Sequence, residues 1–259
     1  SKWNTHARCV QCPPGRRAKS RAIVRAMIKA LSFDCYGTLI DWETGILVAL
    51  APCRARFDVE SEALLAAFAQ HESAVEAEQP DRLYPQVLEE VMRRLGKEFD
   101  AEVSDDEARA FGVSVGDWPA FPDTAAALAC LKQRFQLAIL SNVDRASFAR
   151  SNMHLGVAFD LICTAEDIGS YKPAQENFAY LLARLKERGI GPRELLHVAQ
   201  SLYHDHAPAL AMGLETVWID RRTGKSGGGA TLAANPNLRI SNRFESMAKL
   251  AAAYSPGQG

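Results

Sequence analysis

Ser32-Phe33-Asp34-Cys35-Tyr36-Gly37-Thr38-Leu39-Ile40-Asp41 tells more about this chain than any other ten residues. An apolar run from Ile28 to Phe33 stops at an acid, and a glycine follows three residues later. A buried strand reads this way when it delivers one carboxylate to the rim of a sheet and then turns. An acid that ends an apolar run directly is not placed as an ordinary surface residue, so Asp34 is a candidate for chemistry.

On either side of this stretch the chain changes character. Residues 43–116 read almost wholly helical. Leu64, Leu65, Phe68, Ala69 and Val75 repeat at the helical period between Glu60 and Glu78. Val87, Leu88, Val91 and Met92 do the same between Leu83 and Leu95. Asp105-Asp106-Glu107 puts acids in the first turn of another helix, where the dipole favours them. From Phe121 onward strands and helices alternate. Strands are expected at Gln136–Leu140, Leu161–Thr164, Leu195–Ala199 and Glu215–Ile219, with a last edge strand at Leu238–Ile240. Helices are expected from Thr124 to about Phe135, over Asp144–Met153, Ala174–Arg188 and Asp205–Met212, and at Phe244–Tyr254. Such alternation implies an α/β fold with a parallel sheet covered on both faces, whose site lies at the carboxyl ends of the strands. Asp34, Ser141 and the segment from Gln200 to Asp205 all follow strands in this reading.

The 259 residues suffice for one large domain, or for a core with a smaller one, and the hydrophobic content of 47% is that of a globular protein. No apolar run approaches the roughly 18 residues that cross a bilayer, so no membrane partner is expected. Residues 1–26 carry seven Lys and Arg and no acid, which leaves the remainder at a net charge of −8. That remainder has no basic stripe, which argues against nucleic acid as a partner. The basic segment lacks the apolar middle of a secretory signal. It reads as a poorly ordered extension upstream of Met27, and residues 255–259 read as a tail. Cys9 and Cys12 form a C-x-x-C pair with nothing to complete a zinc site. Cys35, Cys130 and Cys163 sit in or beside apolar runs as small core residues, and a reduced, cytoplasmic setting fits. Gly224-Lys225-Ser226 lacks both the earlier glycine and the following helix of a phosphate loop.

The stretch Asp34-x-Tyr36-Gly37-Thr38-Leu39 resembles the first motif of the haloacid dehalogenase superfamily, and three later segments resemble its other motifs in the same order. They are Ser141-Asn142, Lys172-Pro173 and Gln200-Ser201-x-x-x-Asp205. The resemblance covers nearly everything from Met27 onward. It implies a Rossmann-like parallel sheet core, residues 27–42 and 118–254, with an inserted helical cap at 43–117. It also implies hydrolysis through an aspartyl ester formed by Asp34 and removed by water. Lys172 would keep Asp34 ionised and hold it, and Asp205 would position or activate the water. Ser141, Asn142, Ser201, Tyr36 and Thr38 would face the substrate, a small anion. Two of these have plainer readings: Ser141 is a good helix cap, although Asp144 could cap the same helix, and Thr38 could tie the turn.

Within the superfamily, metal-dependent phosphatases carry an Asp where this chain has Gln200, and another where it has Tyr36. A phenol with a pKa of ~10 replaces a carboxylic acid poorly at neutral pH. Both departures point to the branch resembling the L-2-haloacid dehalogenases, which use no metal or other cofactor. Carbon–halogen cleavage needs no proton on its leaving group, and the product would be a 2-hydroxy acid. That branch also carries an arginine in the first long cap helix, a tyrosine where Phe178 stands, and Ser and Asn where Gln200 and Leu202 stand; here the cap region reads Ala67-Phe68-Ala69-Gln70-His71-Glu72. His71 and His204 are the candidates to compensate, each more ordinarily a surface residue. Trp42 and Trp118 would wall the pocket or pack the hinge. The alternatives are a phosphatase with Mg²⁺ held by Asp34 and Asp205, and a non-catalytic protein that binds a small anion. His204-Asp205-His206 does not make a metal site, since adjacent residues point apart. An apolar cap face would serve a homodimer.

Overall fold

The computed structural model describes residues 27–254. The basic extension, the C-x-x-C pair and the tail lie outside the described residues.

Six strands form one parallel sheet. They are β1 (Ala30–Phe33), β2 (Gln136–Ser141), β3 (Leu161–Thr164), β4 (Leu195–Ala199), β5 (Glu215–Ile219) and β6 (Arg243–Phe244), in the order β3-β2-β1-β4-β5-β6. β1 lies at the centre, with Phe33 in register with Ile139 on one side and Val198 on the other. Successive side chains point to opposite faces, and both faces are apolar. Leu31, Phe33, Leu137, Ile139, Leu196 and Val198 belong to one core cluster, whereas Ala30, Ala138, Leu140 and Leu195 belong to the other. Both faces are therefore buried, which is why β1 reads as mainly apolar, its one polar residue Ser32 being paired with His197.

Helices α1 (Trp42–Leu50), α2 (Ser61–Glu78), α3 (Tyr84–Glu98) and α4 (Asp105–Val113) form the cap between β1 and β2. Ser104 and Glu107 close a capping box around the acidic first turn of α4. Cap and sheet share the larger apolar cluster, which runs from Leu31 through Phe68 and Val91 to Phe111. Gly45 lets α1 lie against Trp118, since a Cβ there would stand 2.3 Å from the indole. Trp118 is thus hinge packing, as one of its two readings had it.

The remaining helices are α5 (Thr124–Lys132), α6 (Arg145–Leu155), the single turn α7 (Ala165–Ile168), α8 (Gln175–Lys186), α9 (Ala207–Ala211) and α10 (Met247–Tyr254). Two expectations are corrected. The edge strand is Arg243–Phe244 rather than Leu238–Ile240, because the backbone there pairs with Trp218 and Ile219. The segment Leu202–His206 is a π-helical turn that only then passes into α9. Among the described residues no helix is long and apolar enough to cross a membrane.

Candidate active site

Four segments that end strands meet at the carboxyl edge of the sheet. Asp34 directly follows β1 and is 6% exposed. Its turn depends on Gly37, whose φ of +88° favours glycine, and a Cβ there would stand 2.9 Å from Trp42 Nε1. Thr38 is fully buried by this turn. Its hydroxyl donates to Asp34 Oδ2 at 2.7 Å and accepts from the Gln200 backbone N–H at 2.9 Å. Thr38 therefore orients the carboxylate and ties β1 to β4; it does not line the cavity.

Lys172 is 2% exposed, and its ammonium has three hydrogens and three acceptors. Nζ donates to Asp34 Oδ1 at 2.9 Å, to Asp205 Oδ1 at 2.6 Å and to the Leu140 carbonyl at 3.1 Å. Burial alone would lower the lysine pKa, but the Asp205 and Asp34 charges outweigh it and hold Lys172 protonated. Burial likewise pushes the Asp34 carboxyl up, with Asp205 adding and Lys172 and Thr38 opposing. For Asp205 burial is overcome by Lys172 and by His197, so its carboxyl stays well below the usual range.

His197 extends the network. Its Nε2 donates to Asp205 Oδ1 at 3.0 Å, and its Nδ1 lies 2.8 Å from the hydroxyl of Ser32, its register partner across β1 and β4. Phe178 packs edge-on against the imidazole at 5.0 Å between centroids.

Asn142 brackets the lysine loop, accepting from the Lys172 N–H at 2.7 Å and donating to the Lys172 carbonyl at 3.0 Å. Asp144 caps α6 through the Ser147 N–H, which leaves Ser141 free of that role. The Ser141 hydroxyl is buried and has no hydrogen-bond partner among the described residues. Ser201 caps the π-helical turn through the His204 N–H at 3.0 Å. Tyr36 turns its hydroxyl onto Ser151 Oγ at 2.8 Å and presents its ring beside Tyr84.

These groups enclose a cavity of about 30 Å³, room for two or three water-sized groups. Asp34, Tyr36, Ser141, Asn142, Lys172, Ser201 and Asp205 line it, and Trp42 joins them as pocket wall. The cap supplies Tyr84 and two acids, Glu72 and Glu76, 3% and 4% exposed. Tyr84 donates to Glu72 Oε1, and Asn142 Nδ2 donates to Glu76 Oε2 at 3.1 Å. Burial raises Glu72 to about 8; burial and the Glu72 charge raise Glu76 well above the ordinary value. His204 also lines the cavity with Nε2 unpartnered, and burial lowers it to about 4, so it is neutral. His71 points elsewhere, to Glu98.

A model of the haloacid dehalogenase-like hydrolases matches residues 28–211. The chain belongs to that family. Among solved structures, an L-2-haloacid dehalogenase superposes with a TM-score of 0.72 at 23% identity, over 88% of this chain and 100% of its own. The L-2-haloacid dehalogenase from Xanthobacter autotrophicus with chloropropionic acid covalently bound gives 0.70 at 19%, over 87% and 97%. A HAD-hydrolase from Bacillus subtilis bound to magnesium gives 0.68 at 17%, over 88% and 98%. At these identities the likeness is one of fold. No curated protein sequence matches this one.

The donor set of this haloacid dehalogenase-like hydrolase fits Mg²⁺ poorly. The ion needs carboxylate oxygens in near-octahedral array. Here the lysine ammonium bridges the two acids that would supply them, and Asp205 Oδ1 is shared with His197. Gln200, standing where a further acid would be needed, turns its amide oxygen to the Thr231 hydroxyl at 3.1 Å. Among the described residues no cluster of three His, Cys, Asp or Glu is arranged around one point for a metal.

Four contributors escaped the sequence reading: His197, Glu72, Glu76 and Tyr84. His197 was visible as a polar residue inside the apolar run Leu195–Ala199. Glu72 and Glu76 continue the buried stripe of Leu65, Phe68, Ala69 and Val75 at the same helical spacing. Tyr84 carried no comparable signal.

Proposed function

We propose that this hydrolase displaces a leaving group from carbon by way of an ester on Asp34, in the manner of a 2-haloacid dehalogenase. The supporting observation is the Asp34–Lys172–Asp205 bridge: a buried nucleophile held by a cation whose other acid is tied to His197. Asp34 attacks the carbon, the ester bond forms, and halide leaves with the bonding pair. Water then attacks Cγ of the ester. Asp205 Oδ2, buried and without a hydrogen-bond partner among the described residues, receives a hydrogen bond from that water. Lys172 and Thr38 stand beside the ester oxygens, where negative charge develops as the tetrahedral intermediate forms. Collapse releases the alcohol and restores Asp34, so each turnover consumes one water and yields one halide and one proton. Tyr36 offers no acidic proton: burial raises its phenol far above neutrality, as suits a leaving group that needs none.

The test is halide release from 2-haloacids in the presence of EDTA. Release that persists under chelation and vanishes in Asp34→Ala supports the reading. A single turnover in ¹⁸O-water should place the label in the Asp34 carboxyl group. Turnover that needs Mg²⁺ and acts on phosphate esters would sink it, as would ligand binding without turnover.

A further inference from the structure

Lys172 spends all three of its N–H groups on Asp34, Asp205 and Leu140, and among the described residues it is the only lysine or arginine side chain on the cavity. Nothing cationic remains to receive a substrate carboxylate. The cap instead offers Glu72 and Glu76, one helical turn apart on α2. Each has one oxygen that already accepts a hydrogen bond from a protein donor, Tyr84 for Glu72 and Asn142 for Glu76. Among the described residues Glu76 Oε1 and Asp205 Oδ2, both buried, accept no hydrogen bond, and the Ser141 hydroxyl and His204 Nε2 are likewise unpartnered. With the acids ionised, two of these free atoms, Glu76 Oε1 and Asp205 Oδ2, are acceptors only. A carboxylate brings only acceptors to them, whereas a primary ammonium brings three donors.

We infer that this site takes a substrate carrying an ammonium group, received by Glu76 and Glu72, rather than a plain 2-halocarboxylate. That the ammonium lies near the carbon attacked by Asp34 rests on the reaction proposed above. Without ligand the acid pair keeps protons, because burying an unpaired carboxylate is costly. An entering cation displaces one, so binding releases a proton and strengthens as pH rises.

The other groups facing the pair do not reverse that sign. Tyr84 from α3, Tyr36 from the β1 turn and Tyr171 from the lysine loop are all raised by burial and stay neutral. Lys172 stays charged, as does Asp205, and His204 on the π-helical turn stays neutral. Asp34 is controlled for by repeating the titration in Asp34→Asn.

The experiment titrates the full chain with ethylammonium and with acetate, neither of which reacts, following amide shifts by NMR. Ethylammonium should bind at least about tenfold tighter than acetate at pH ~8.5. Its affinity should fall about tenfold or more at pH ~6.5, since a carboxyl near 8 must then lose a proton. Glu76→Gln and Glu72→Gln, each checked for folding, should weaken ethylammonium about tenfold and leave acetate unchanged. Tighter acetate binding, no saturable ethylammonium binding, or indifference to both substitutions overturns the inference. Asp34-dependent halide release alongside an acetate preference would overturn the ammonium assignment alone. Saturable ethylammonium binding without turnover would support that assignment while removing the reaction.

Discussion

Lys172 bears a heavy electrostatic demand. It is a buried cation between two buried anions, and removing it leaves both uncompensated. Lys172→Met should cost about 3–5 kcal/mol in urea unfolding, with activity lost, because an unpaired buried charge is far worse than a missing pair. A loss below about 1 kcal/mol would mean that Asp34 and Asp205 are better solvated than their burial indicates. The cap acids make a second prediction, of opposite pH sign to the Asp205 contribution. Asp205 has a depressed folded pKa, so its stabilisation is present above the ordinary carboxylate value and is lost only as pH falls below it. Glu72 is raised from 4.5 to about 8, so the folded state holds a proton that the unfolded chain gives up. Stability should therefore decline as pH climbs from about 4.5 to 8, at up to roughly 1.4 kcal/mol per pH unit for one such group. Glu72→Gln should flatten that decline and be more stable than wild type at pH ~8. Equal slopes by urea unfolding would show that Glu72 is ionised in the folded chain.

At the scale of elements, the loops at the strand ends hold the site together, and Asn142 joins two of them. Its amide satisfies both backbone groups of Lys172 from the end of β2. Asn142→Leu strands a buried N–H and C=O, with an expected loss of about 2–4 kcal/mol. Asn142→Asp keeps the acceptor and loses the donor, so it should fall between. Thermal unfolding of the two variants gives the order, and the reverse order would mean that the loops hold without the amide. Much of this was legible beforehand. Strands β3, β4 and β5 fall where the sequence puts them, because each is a short, mainly apolar segment bounded by turns or helices. Asp34, Ser141, Lys172 and Asp205 converge because each follows or flanks a strand. What stayed hidden depended on contacts between distant segments. Gln200 looks like a ligand in line with Asp205, yet its side chain turns to Thr231. Glu72 sits on a helical face that periodicity marks as buried, but only packing shows that the face meets a cavity rather than apolar core. The short β6 lacks an apolar run altogether, since an edge strand of two residues needs only backbone pairing with β5.

Across the described molecule, cap and core are joined by apolar packing and by ionic contacts, the most concentrated of them at Arg222. Arg222, on the loop after β5, forks onto both oxygens of Glu43 in α1 and both oxygens of Glu62 in the first turn of α2. Gly229 N–H also donates to Glu62, and that bond, with Arg222, keeps the Glu62 carboxyl below its ordinary value. A planar guanidinium suits this double clamp, and a lysine would not. The two arms differ in value. Glu43 is 16% exposed in its side chain and Glu62 is 44% exposed, so solvent screens the second arm more. Glu43→Gln should therefore destabilise more than Glu62→Gln, by about 1–3 kcal/mol against less than about 1. Arg222→Met should exceed both. Because α2 carries Glu72 and Glu76 into the cavity, loosening its first turn should reach the site. Hydrogen exchange along α2 should speed up in Arg222→Met, with added salt producing a weaker version of the same change in wild type. Unchanged exchange along α2 would mean that apolar packing alone seats the cap, and that Arg222 merely orders the loop from Asp220 to Thr231.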